Sequence, residues 1–345
     1  MTSNRDEKFM RAALVEAGKA LGRTSPNPAV GAVLVIHDRI VSRGHHRIAG
    51  GPHGEINCLR KFTNPIPPHA TLYVTLEPCS TAGRTPPCTD AIMKAGIKNV
   101  VIGATDPNPR HSGRGVSELR KADIRVREGI LADECTRLNE GFNKWIVTGQ
   151  PLVIAKCGMS LDARLTRPRT ESRWITERDA RRDVHQLRAR VDAILVGAAT
   201  VRADNPRLTV RKVRGARQPW RVVLTRSGRL PPRAQILCDQ FAAQTLIYKR
   251  KSLRMVLNDL GKRGITSVLI EGGGEILGEA LDQRLIDKVQ IYLGPLLSGG
   301  PVIAFPGTGA AQTAEALRLR DVAYERIGQT VRITGSVSTD CERQL

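Results

Sequence analysis

Apolar positions in the first half of the chain alternate between helical spacing and short continuous runs. Between Arg5 and Leu21 they recur every three or four residues and predict a helix that ends at Gly22. The continuous run Ala29–Ile36 is typical of a buried strand. The same reasoning predicts further helices over His53–Lys61, Cys88–Ala95 and Ala132–Trp145, and strands over Ile40–Arg43, Ala70–Leu76, Val100–Ala104 and Ile124–Glu128.

The second half shows the same alternation and predicts a largely parallel sheet covered by helices. The predicted strands are Leu152–Lys156, Ala193–Val196, Val222–Leu224, Thr245–Tyr248, Ser267–Ile270 and Lys288–Leu293. The predicted helices are Glu177–Val191, Leu253–Gly264 and Glu275–Leu285. Gly149-Gln150-Pro151 interrupts the pattern, so we expect two α/β domains, residues 1–148 and 149–345.

Length and cysteine usage are consistent with a cytoplasmic protein of two domains. The chain has 345 residues, and no window approaches the roughly 20 apolar residues that a membrane-spanning helix requires. Charged residues continue where a secretory signal would have its apolar segment. The cysteine count of seven is odd and lacks disulfide-framework spacing, as expected where thiols stay reduced.

The net charge of +21 indicates an anionic partner. Aromatic residues make up only 3% of the chain, which leaves few platforms on which single-stranded bases stack. We therefore expect a phosphorylated small molecule, with neither nucleic acid nor membrane as a partner. Glu271-Gly272-Gly273-Gly274-Glu275 follows a predicted strand and opens a helix, where free main-chain amides can bind phosphate. Glycine-rich turns of this kind also occur for steric reasons alone.

Three residues of the first half have the side chains of a zinc site with an open fourth position, namely His53, Cys79 and Cys88. Such a site activates water for hydrolysis, and Glu55, two residues after the histidine, is placed to carry protons. Taken singly, each cysteine is more often a small buried residue. The combination nevertheless matches the arrangement of zinc deaminases, in which the glutamate is not a ligand. Eight residues separate the two cysteines, a longer spacing than in the usual nucleobase-deaminase pattern.

That spacing and the surrounding motifs resemble the deaminase half of the bifunctional deaminase–reductases of riboflavin biosynthesis. The matching motifs are Ser25–Gly31, Pro52–Glu55, Thr75–Ser80, Gly83–Cys88, Asp106–Pro109 and Gly113–Gly115. The resemblance implies a cytidine-deaminase-like domain with zinc on His53, Cys79 and Cys88, and Glu55 as its catalytic proton carrier. It also implies that Asn27 and the loops Gly83–Pro87 and Asp106–Gly115 line the substrate site.

The second half resembles the reductase half of the same family. The matching motifs are Lys156–Asp162, Glu171–Thr176, Ala198–Arg211 and Glu271–Gly273. The resemblance implies a dihydrofolate-reductase-like domain that takes NADPH. It assigns the cofactor to Gly158, Trp174, Thr200, Asp204, Gly273, Gly274, Glu275, Ile276, Leu277, Gly278 and Glu279, and the substrate to Ser172, Arg188, Leu208, Arg211 and Glu271.

Physical reasoning adds two expectations for this half. Arg188 and Arg211 have the side chains of a clamp on a sugar 5′-phosphate, although most arginines are solvated surface charges. Lys156 lies on a buried strand, where an unpaired ammonium is costly, so it requires a carboxylate or ligand partner. We also expect a homo-oligomer.

The chain departs from the family pattern at several positions. Asn57 replaces a second histidine, Thr81-Ala82 replaces a pair of histidines, and Gly54 replaces an alanine. In the second half Ala163 replaces a glycine and Thr225-Arg226 replaces Asp-Ser. These departures leave open a reductase with an impaired deaminase half. A nucleic-acid deaminase and a non-catalytic protein stabilised by zinc also remain alternatives. His45 and His46, which lack partners at metal-ligand spacing, are interpreted as surface or loop histidines.

Overall fold

The chain folds into two units, Met1–Gly149 and Gln150–Leu345, each with its own sheet. The structure is a computed structural model that describes residues 4–82, 86–165 and 174–338. The division follows Gly149, which ends a helix in the left-handed conformation with φ 72°. Each unit is described separately below.

The first unit alternates helices with the strands of one sheet, as the apolar pattern predicts. Its helices are α1 (Asn4–Gly18), α2 (Gly54–Leu59), α3 (Cys88–Lys94), α4 (Arg114–Lys121), α5 (Ala132–Leu138) and α6 (Glu140–Thr148). Its strands are β1 (Gly31–Ile36), β2 (Arg39–His45), β3 (Thr71–Leu76), β4 (Asn99–Ala104) and β5 (Arg125–Arg127).

These five strands form a mixed sheet in the order β2-β1-β3-β4-β5. β1 runs antiparallel to β2 and β3, whereas β3, β4 and β5 are parallel to one another. The central strands are almost fully buried, and α1 packs on them through Phe9 and Met10. The carboxyl ends of parallel β3 and β4 therefore open towards the same edge of the sheet, where the loops that follow them meet.

Two features of the first unit differ from the sequence prediction. The helix predicted over Ala132–Trp145 is divided at Asn139, whose side chain accepts a hydrogen bond from Ala29 N at 2.8 Å and donates to Ala29 O at 3.0 Å. This contact joins residues 110 positions apart, so no local pattern announces it. Helix α4 was not predicted, because it is short and begins at a glycine rather than at a side-chain cap.

The second unit contains eight strands and five α-helices within its described residues. The strands are β6 (Leu152–Ser160), β7 (Ala193–Gly197), β8 (Trp220–Thr225), β9 (Thr245–Lys249), β10 (Ser267–Ile270), β11 (Lys288–Gly294), β12 (Leu319–Ile327) and β13 (Thr330–Val337). The helices are α7 (Arg178–Arg190), α8 (Ala198–Asp204), α9 (Gln235–Cys238), α10 (Leu253–Lys262) and α11 (Gly274–Asp282).

The eight strands form one sheet in the order β12-β13-β11-β6-β10-β7-β8-β9. The strands from β11 to β9 are parallel, which confirms the predicted α/β character. β12 and β13 add an antiparallel hairpin at one edge. The sequence did not predict this hairpin, because β12 is exposed along nearly its whole length and lacks the alternation of a half-buried strand.

Within the residues that the structure describes, no helix combines the length and apolar character needed to cross a membrane. The buried apolar residues instead form one cluster in the first unit and clusters on both faces of the sheet in the second. Arg221 and Asp192 are charged residues that lie almost fully inside the second unit. Arg221 is 1% exposed, and its guanidinium binds both carboxylate oxygens of Asp239 at 2.7 and 2.9 Å and the carbonyl oxygens of Arg207 and Ile236.

Candidate active sites

The three predicted zinc ligands lie together at the carboxyl edge of the first sheet. His53 immediately precedes α2, Cys79 follows β3, and Cys88 is the first residue of α3. The Nδ1 atom of His53 lies 3.2 Å from Cys88 Sγ and 3.5 Å from Cys79 Sγ. Among the described residues this is the group whose donor atoms all lie within 4.8 Å of one another, as binding of one ion requires.

Main-chain contacts hold the ligands in this arrangement. The amide of Cys88 donates to Cys79 O at 3.0 Å, which closes the loop between the two cysteines. Gly54 lets α2 approach β1, because a Cβ at this position would lie 2.7 Å from Val30 O. The glycine that replaces the family's alanine therefore fits the close packing of the helix that follows His53.

Glu55 lies in the first turn of α2, is 2% exposed, and interacts with the side chains of Cys88 and His53. Its Oε2 atom has no hydrogen-bond partner among the described residues. Burial, opposed by the charge of His53, raises the pKa of Glu55 to about 7. A buried carboxyl with an unused oxygen beside three ligand atoms fits a zinc site that also needs a proton carrier.

The two thiols differ in proton affinity. A hydrogen bond with Cys88 and another with His53 lower the pKa of Cys79 to about 4, although burial opposes this. The same hydrogen bond to Cys79, together with burial, raises the pKa of Cys88. The lowered pKa of Cys79 favours the thiolate, the form in which cysteine binds a metal.

His46 lies in the loop after β2, as one of the two predicted placements has it, but it is buried rather than on the surface. It is 1% exposed, its Nδ1 lies 3.0 Å from Pro52 O, and its Nε2 lies 3.3 Å from Asn27 Nδ2. A neutral ring that donates from Nδ1 to the carbonyl accepts at Nε2 from the amide of Asn27. Burial lowers the pKa of His46, which is consistent with this neutral form. The contact was not visible in the sequence, because 19 positions separate Asn27 from His46.

The departures from the family pattern are accommodated in the first unit. Asn57 Nδ2 donates to His45 O at 2.9 Å and to Pro52 O at 3.0 Å, so it holds the loop that leads to His53. Thr81 Oγ1 lies 3.2 Å from His111 Nδ1. Of the predicted substrate loop Gly83–Pro87, residues 83–85 lie outside the described part of the chain.

In the second unit Arg188, one of the two arginines of the predicted phosphate clamp, pairs with Glu271. Arg188 Nε and Nη2 donate to the two oxygens of Glu271 at 2.5 and 2.8 Å, and Nη1 donates to Thr209 O at 3.1 Å. The guanidinium is thereby used by the protein itself, whereas Arg211 is exposed. Burial opposes the charged form of Glu271, but the positive charges of Arg188 and Lys156 outweigh it and lower the pKa of this carboxyl.

Lys156 has the carboxylate partner that its position on a buried strand requires. Its Nζ lies 3.7 Å from Glu271 Oε2 and 5.9 Å from the centre of the Tyr292 ring. Burial and the charges of Arg188 and Arg211 lower the pKa of His185 to about 4, and its Nδ1 accepts the amide of Arg211 at 3.2 Å. Lys156 and His185 were not among the predicted site residues. The available signal was that each is a polar residue within an otherwise apolar pattern, Lys156 on a predicted strand and His185 on a predicted helix of the same unit.

Of the predicted substrate contacts, Arg188 and Glu271 pair with each other and the Arg211 amide binds His185, whereas Ser172 lies outside the described residues. Leu208 is buried and adopts φ 52°, in the left-handed region that a leucine rarely occupies. The adjoining main chain is held by side chains, since Arg188 binds Thr209 O and Gln218 binds both N and O of Val210. The tertiary structure therefore maintains an unfavourable backbone conformation next to the cluster.

Part of the predicted cofactor set forms a glycine turn at the start of α11. Gly273 adopts φ 72°, and a Cβ on it would lie 3.2 Å from Thr200 Oγ1 on α8. A side chain here would thus fill the space between the two helix starts, which fits a turn that binds a phosphate group. Gly158 lies on β6 opposite Tyr292, and Asp204 is exposed at the end of α8.

The remaining predicted cofactor residues have other contacts. Leu277 is 0% exposed in the core, and Gly278 packs against Pro306, whose carbonyl oxygen would lie 1.5 Å from an added Cβ. Glu279 Oε1 accepts from Leu253 N at 3.2 Å. Glu275 and Ile276 lie in the first turn of α11 after Gly274. Trp174 is 46% exposed, and the guanidinium carbon of Arg181 lies 4.6 Å from its ring centre.

The chain matches two protein families, one in each unit. Residues 3–104 match the cytidine and deoxycytidylate deaminase zinc-binding region, and residues 151–333 match the RibD C-terminal domain. It is 41% identical to the riboflavin biosynthesis protein RibD of Synechocystis, over 96% of each chain. It is 37% identical to the protein of the same name from Escherichia coli, over 92% of this chain and 96% of that one.

Solved structures share the fold across nearly the whole length. RibD of Acinetobacter baumannii matches with a TM-score of 0.89 and 37% identity, covering 97% of this chain and 99% of that chain. A diaminohydroxyphosphoribosylaminopyrimidine deaminase/5-amino-6-(5-phosphoribosylamino)uracil reductase from Thermotoga maritima matches with a TM-score of 0.87 and 35% identity, with the same coverage. The predicted fold, a cytidine-deaminase-like domain followed by a dihydrofolate-reductase-like domain, is confirmed.

Proposed function

The chain belongs to the RibD family of bifunctional deaminase–reductases of riboflavin biosynthesis, and from this premise we propose the reactions and residues of its two sites. The proposed substrate is 2,5-diamino-6-ribosylamino-4(3H)-pyrimidinone 5′-phosphate. The first unit replaces its ring amine by oxygen, and the second reduces its ribosyl group to ribityl with NADPH. The observation that carries the first assignment is the group His53, Cys79 and Cys88 with buried Glu55 beside it.

For deamination, His53, Cys79 and Cys88 would hold the zinc ion. Zinc with an open position supplies a water of lowered pKa and Lewis-acid polarisation. Glu55 serves as the proton carrier, taking a proton at Oε2 and delivering it to the departing amine. The buried ring of His46 orients the Asn27 amide, which supports a substrate contact by Asn27.

The residues at which the chain departs from the family pattern make contacts that favour an intact deaminase over a reductase with an impaired deaminase half. Asn57 bonds two carbonyl oxygens in the loop before His53, so this replacement supports the ligand rather than removing it. Thr81 pairs with His111 in the Asp106–Gly115 loop, and Gly54 fits closely under β1. None of these replacements removes a zinc ligand or the proton carrier Glu55.

For reduction, we propose that NADPH binds with its phosphates at the Gly273 turn and Thr200. The cofactor supplies the hydride, and the protein supplies orientation and charge. Glu271 holds the Arg188 and Lys156 side chains in one largely buried group, which is proposed to orient the ribosyl end of the substrate. Arg211, an exposed residue whose main-chain amide is held by His185, is proposed as a contact of the substrate phosphate.

The decisive experiment supplies the diaminopyrimidinone substrate to the full chain with and without NADPH, and follows ammonia release and cofactor absorbance separately. We expect ammonia release without NADPH, and oxidation of NADPH only as the deaminated intermediate accumulates. Glu55→Gln should lower ammonia release by about 10²- to 10⁴-fold, the usual contribution of a general acid–base group. It should leave the zinc content and the reduction of supplied deaminated intermediate unchanged.

Each alternative predicts a different result. An impaired deaminase half would reduce the supplied intermediate but release no ammonia from the first substrate. A nucleic-acid deaminase would not oxidise NADPH, and a non-catalytic zinc protein would bind the metal without turnover of either substrate. Ammonia release by Glu55→Gln at the wild-type rate would exclude Glu55 as the proton carrier.

A further inference from the structure

Glu77 is a buried carboxylate in the same motif as the zinc ligand Cys79. It follows β3, two residues before Cys79, and is 5% exposed. Its main-chain amide donates to Ala104 O at 2.9 Å and so continues the pairing of parallel β3 and β4. This contact fixes the Glu77 backbone at the edge of the sheet where the zinc ligands lie.

The Glu77 side chain reaches across this edge to the loop that follows β4. Oε2 accepts from Asp106 N at 3.1 Å and from Gly113 N at 3.0 Å, and Oε1 accepts from Val116 N at 3.3 Å. The three donors are main-chain amides 29, 36 and 39 positions further along the chain. One carboxylate therefore holds both ends of the Asp106–Gly115 loop.

These bonds also replace the missing cap of α4. Gly113 stands at the N-cap position with φ 74° and has no side chain to accept from the first turn. The amides at the start of a helix need an acceptor, and negative charge is favourable there. Glu77 satisfies both needs from a distant part of the sequence, so the start of α4 depends on it.

Gly115 shows how closely α4 lies against the segment that carries Cys79. A Cβ on Gly115 would lie 2.0 Å from Pro78 O and 3.3 Å from Glu77 Cγ. The first turn of α4 thus lies directly on Glu77-Pro78, with no room for a larger residue.

We propose that Glu77 is a positioning residue of the deaminase, which sets the Asp106–Gly115 substrate loop relative to the zinc ligand Cys79. It acts through the loop and touches neither metal nor substrate. A single carboxylate, two residues before Cys79, binds main-chain amides at both ends of the loop, so the position of the loop is tied to that of the zinc ligand. A displacement of about 1 Å at a reacting centre costs roughly 10²-fold in rate.

The test uses Glu77→Gln in the full chain, which preserves size but replaces one acceptor oxygen by an NH₂ group. In either orientation this group faces at least one main-chain amide, so the loop must shift. We expect deaminase kcat/KM to fall about 10- to 100-fold, mostly through a higher KM, because the loop is assigned to substrate rather than to metal. Zinc content per chain and reduction of supplied intermediate should remain at wild-type values.

Two further variants separate positioning from general instability. Gly115→Ala pushes the same loop away from Pro78 by a different route and should give the same higher KM. Glu128→Gln makes the same charge change at an exposed carboxylate that pairs with Arg120 at 2.6 Å, and should leave deaminase KM and kcat unchanged. A merely structural role would instead lower kcat in proportion to the lost zinc or folded protein, with KM constant.

Wild-type ammonia release is measured first, since the role of Glu77 rests on the proposed deaminase activity. Absence of that release would refute the activity itself. Unchanged kcat/KM in Glu77→Gln, with an active wild type, would overturn the positioning role alone. If Glu77→Gln does not fold, Gly115→Ala decides, and an unchanged KM in that variant overturns the proposal.

Discussion

Replacing Glu271 by glutamine should destabilise the second unit strongly, because this residue compensates two buried cations. Its oxygens lie 2.5 and 2.8 Å from Arg188 nitrogens and 3.7 Å from Lys156 Nζ. The side chains of Arg188, Lys156 and Glu271 are 13%, 16% and 5% exposed, so solvent screens them weakly. Glu271→Gln retains volume and one acceptor oxygen but removes the charge.

Breaking one partner of a buried ion pair costs about 3–5 kcal/mol, since the other charge stays buried without compensation. The remaining amide oxygen still accepts one bond from Arg188, so we expect the lower end of this range, about 3 kcal/mol. For a unit of this size each kcal/mol changes Tm by about 2–4 °C, which gives a decrease of roughly 6–12 °C. Calorimetry of the full chain measures the unfolding transitions. The transition that coincides with loss of reductase activity on heating belongs to the second unit.

A double-mutant cycle with Arg188→Met tests whether the effect belongs to this pair. The loss in free energy of unfolding of the double variant should be smaller than the sum of the two single losses by at least about 2 kcal/mol. The reason is that the effects of substitutions at contacting residues do not add. Asp179→Asn is the matched control on α7, where Asp179 and Arg182 form an exposed pair at 3.8 Å, and should change stability by less than about 0.5 kcal/mol. A Tm of Glu271→Gln within 2 °C of wild type, or additive effects, would refute the reasoning.

Two further predictions concern pH and metal binding. His185 is the only histidine after residue 149, and its pKa of about 4 in the folded chain lies below the ordinary value of 6.5. As pH falls, His185 therefore takes up a proton in the unfolded chain before it does so in the folded chain. The free energy of unfolding of the second unit should decrease by about 2 kcal/mol between pH 7.5 and pH 5. His185→Gln should remove this dependence of stability on pH. Asn57→Ala removes the amide donor to the carbonyl oxygens of His45 and Pro52. It should weaken zinc affinity by about 10-fold, as competition with a chelator measures.

Each of these has a control in the same chain. His37→Gln changes an exposed histidine of the first unit, so the pH slope of the second unit should persist in that variant. An equal slope in His185→Gln would show that another group titrates. Asn57→His restores the residue usual in the family and should bind zinc more tightly than Asn57→Ala. Equal zinc affinity in Asn57→Ala and wild type would contradict a supporting role for the Asn57 amide.

The tertiary structure changed the interpretation wherever a side chain has a distant partner. His46 is followed by no residue at metal-ligand spacing, yet it is buried between Asn27 and Pro52. Arg188 has the side chain of a phosphate ligand, yet Glu271 occupies its guanidinium. Glu77 belongs to a recognised motif, but its three amide partners lie at least 29 positions away. Each partner is decided by which chain segments the sheet brings together.

The sequence by itself determined the alternation of strands and helices, the two α/β units and the zinc ligand set with its glutamate. Periodic burial is a local property that apolar spacing records, and ligand chemistry is carried by residue type and order. Only the folded chain decided that His53 Nδ1, rather than Nε2, lies against both thiols, at 3.2 and 3.5 Å. The physical reason is that hydrogen bonds and ion pairs depend on distances of a few ångströms between segments, which neither composition nor periodicity encodes.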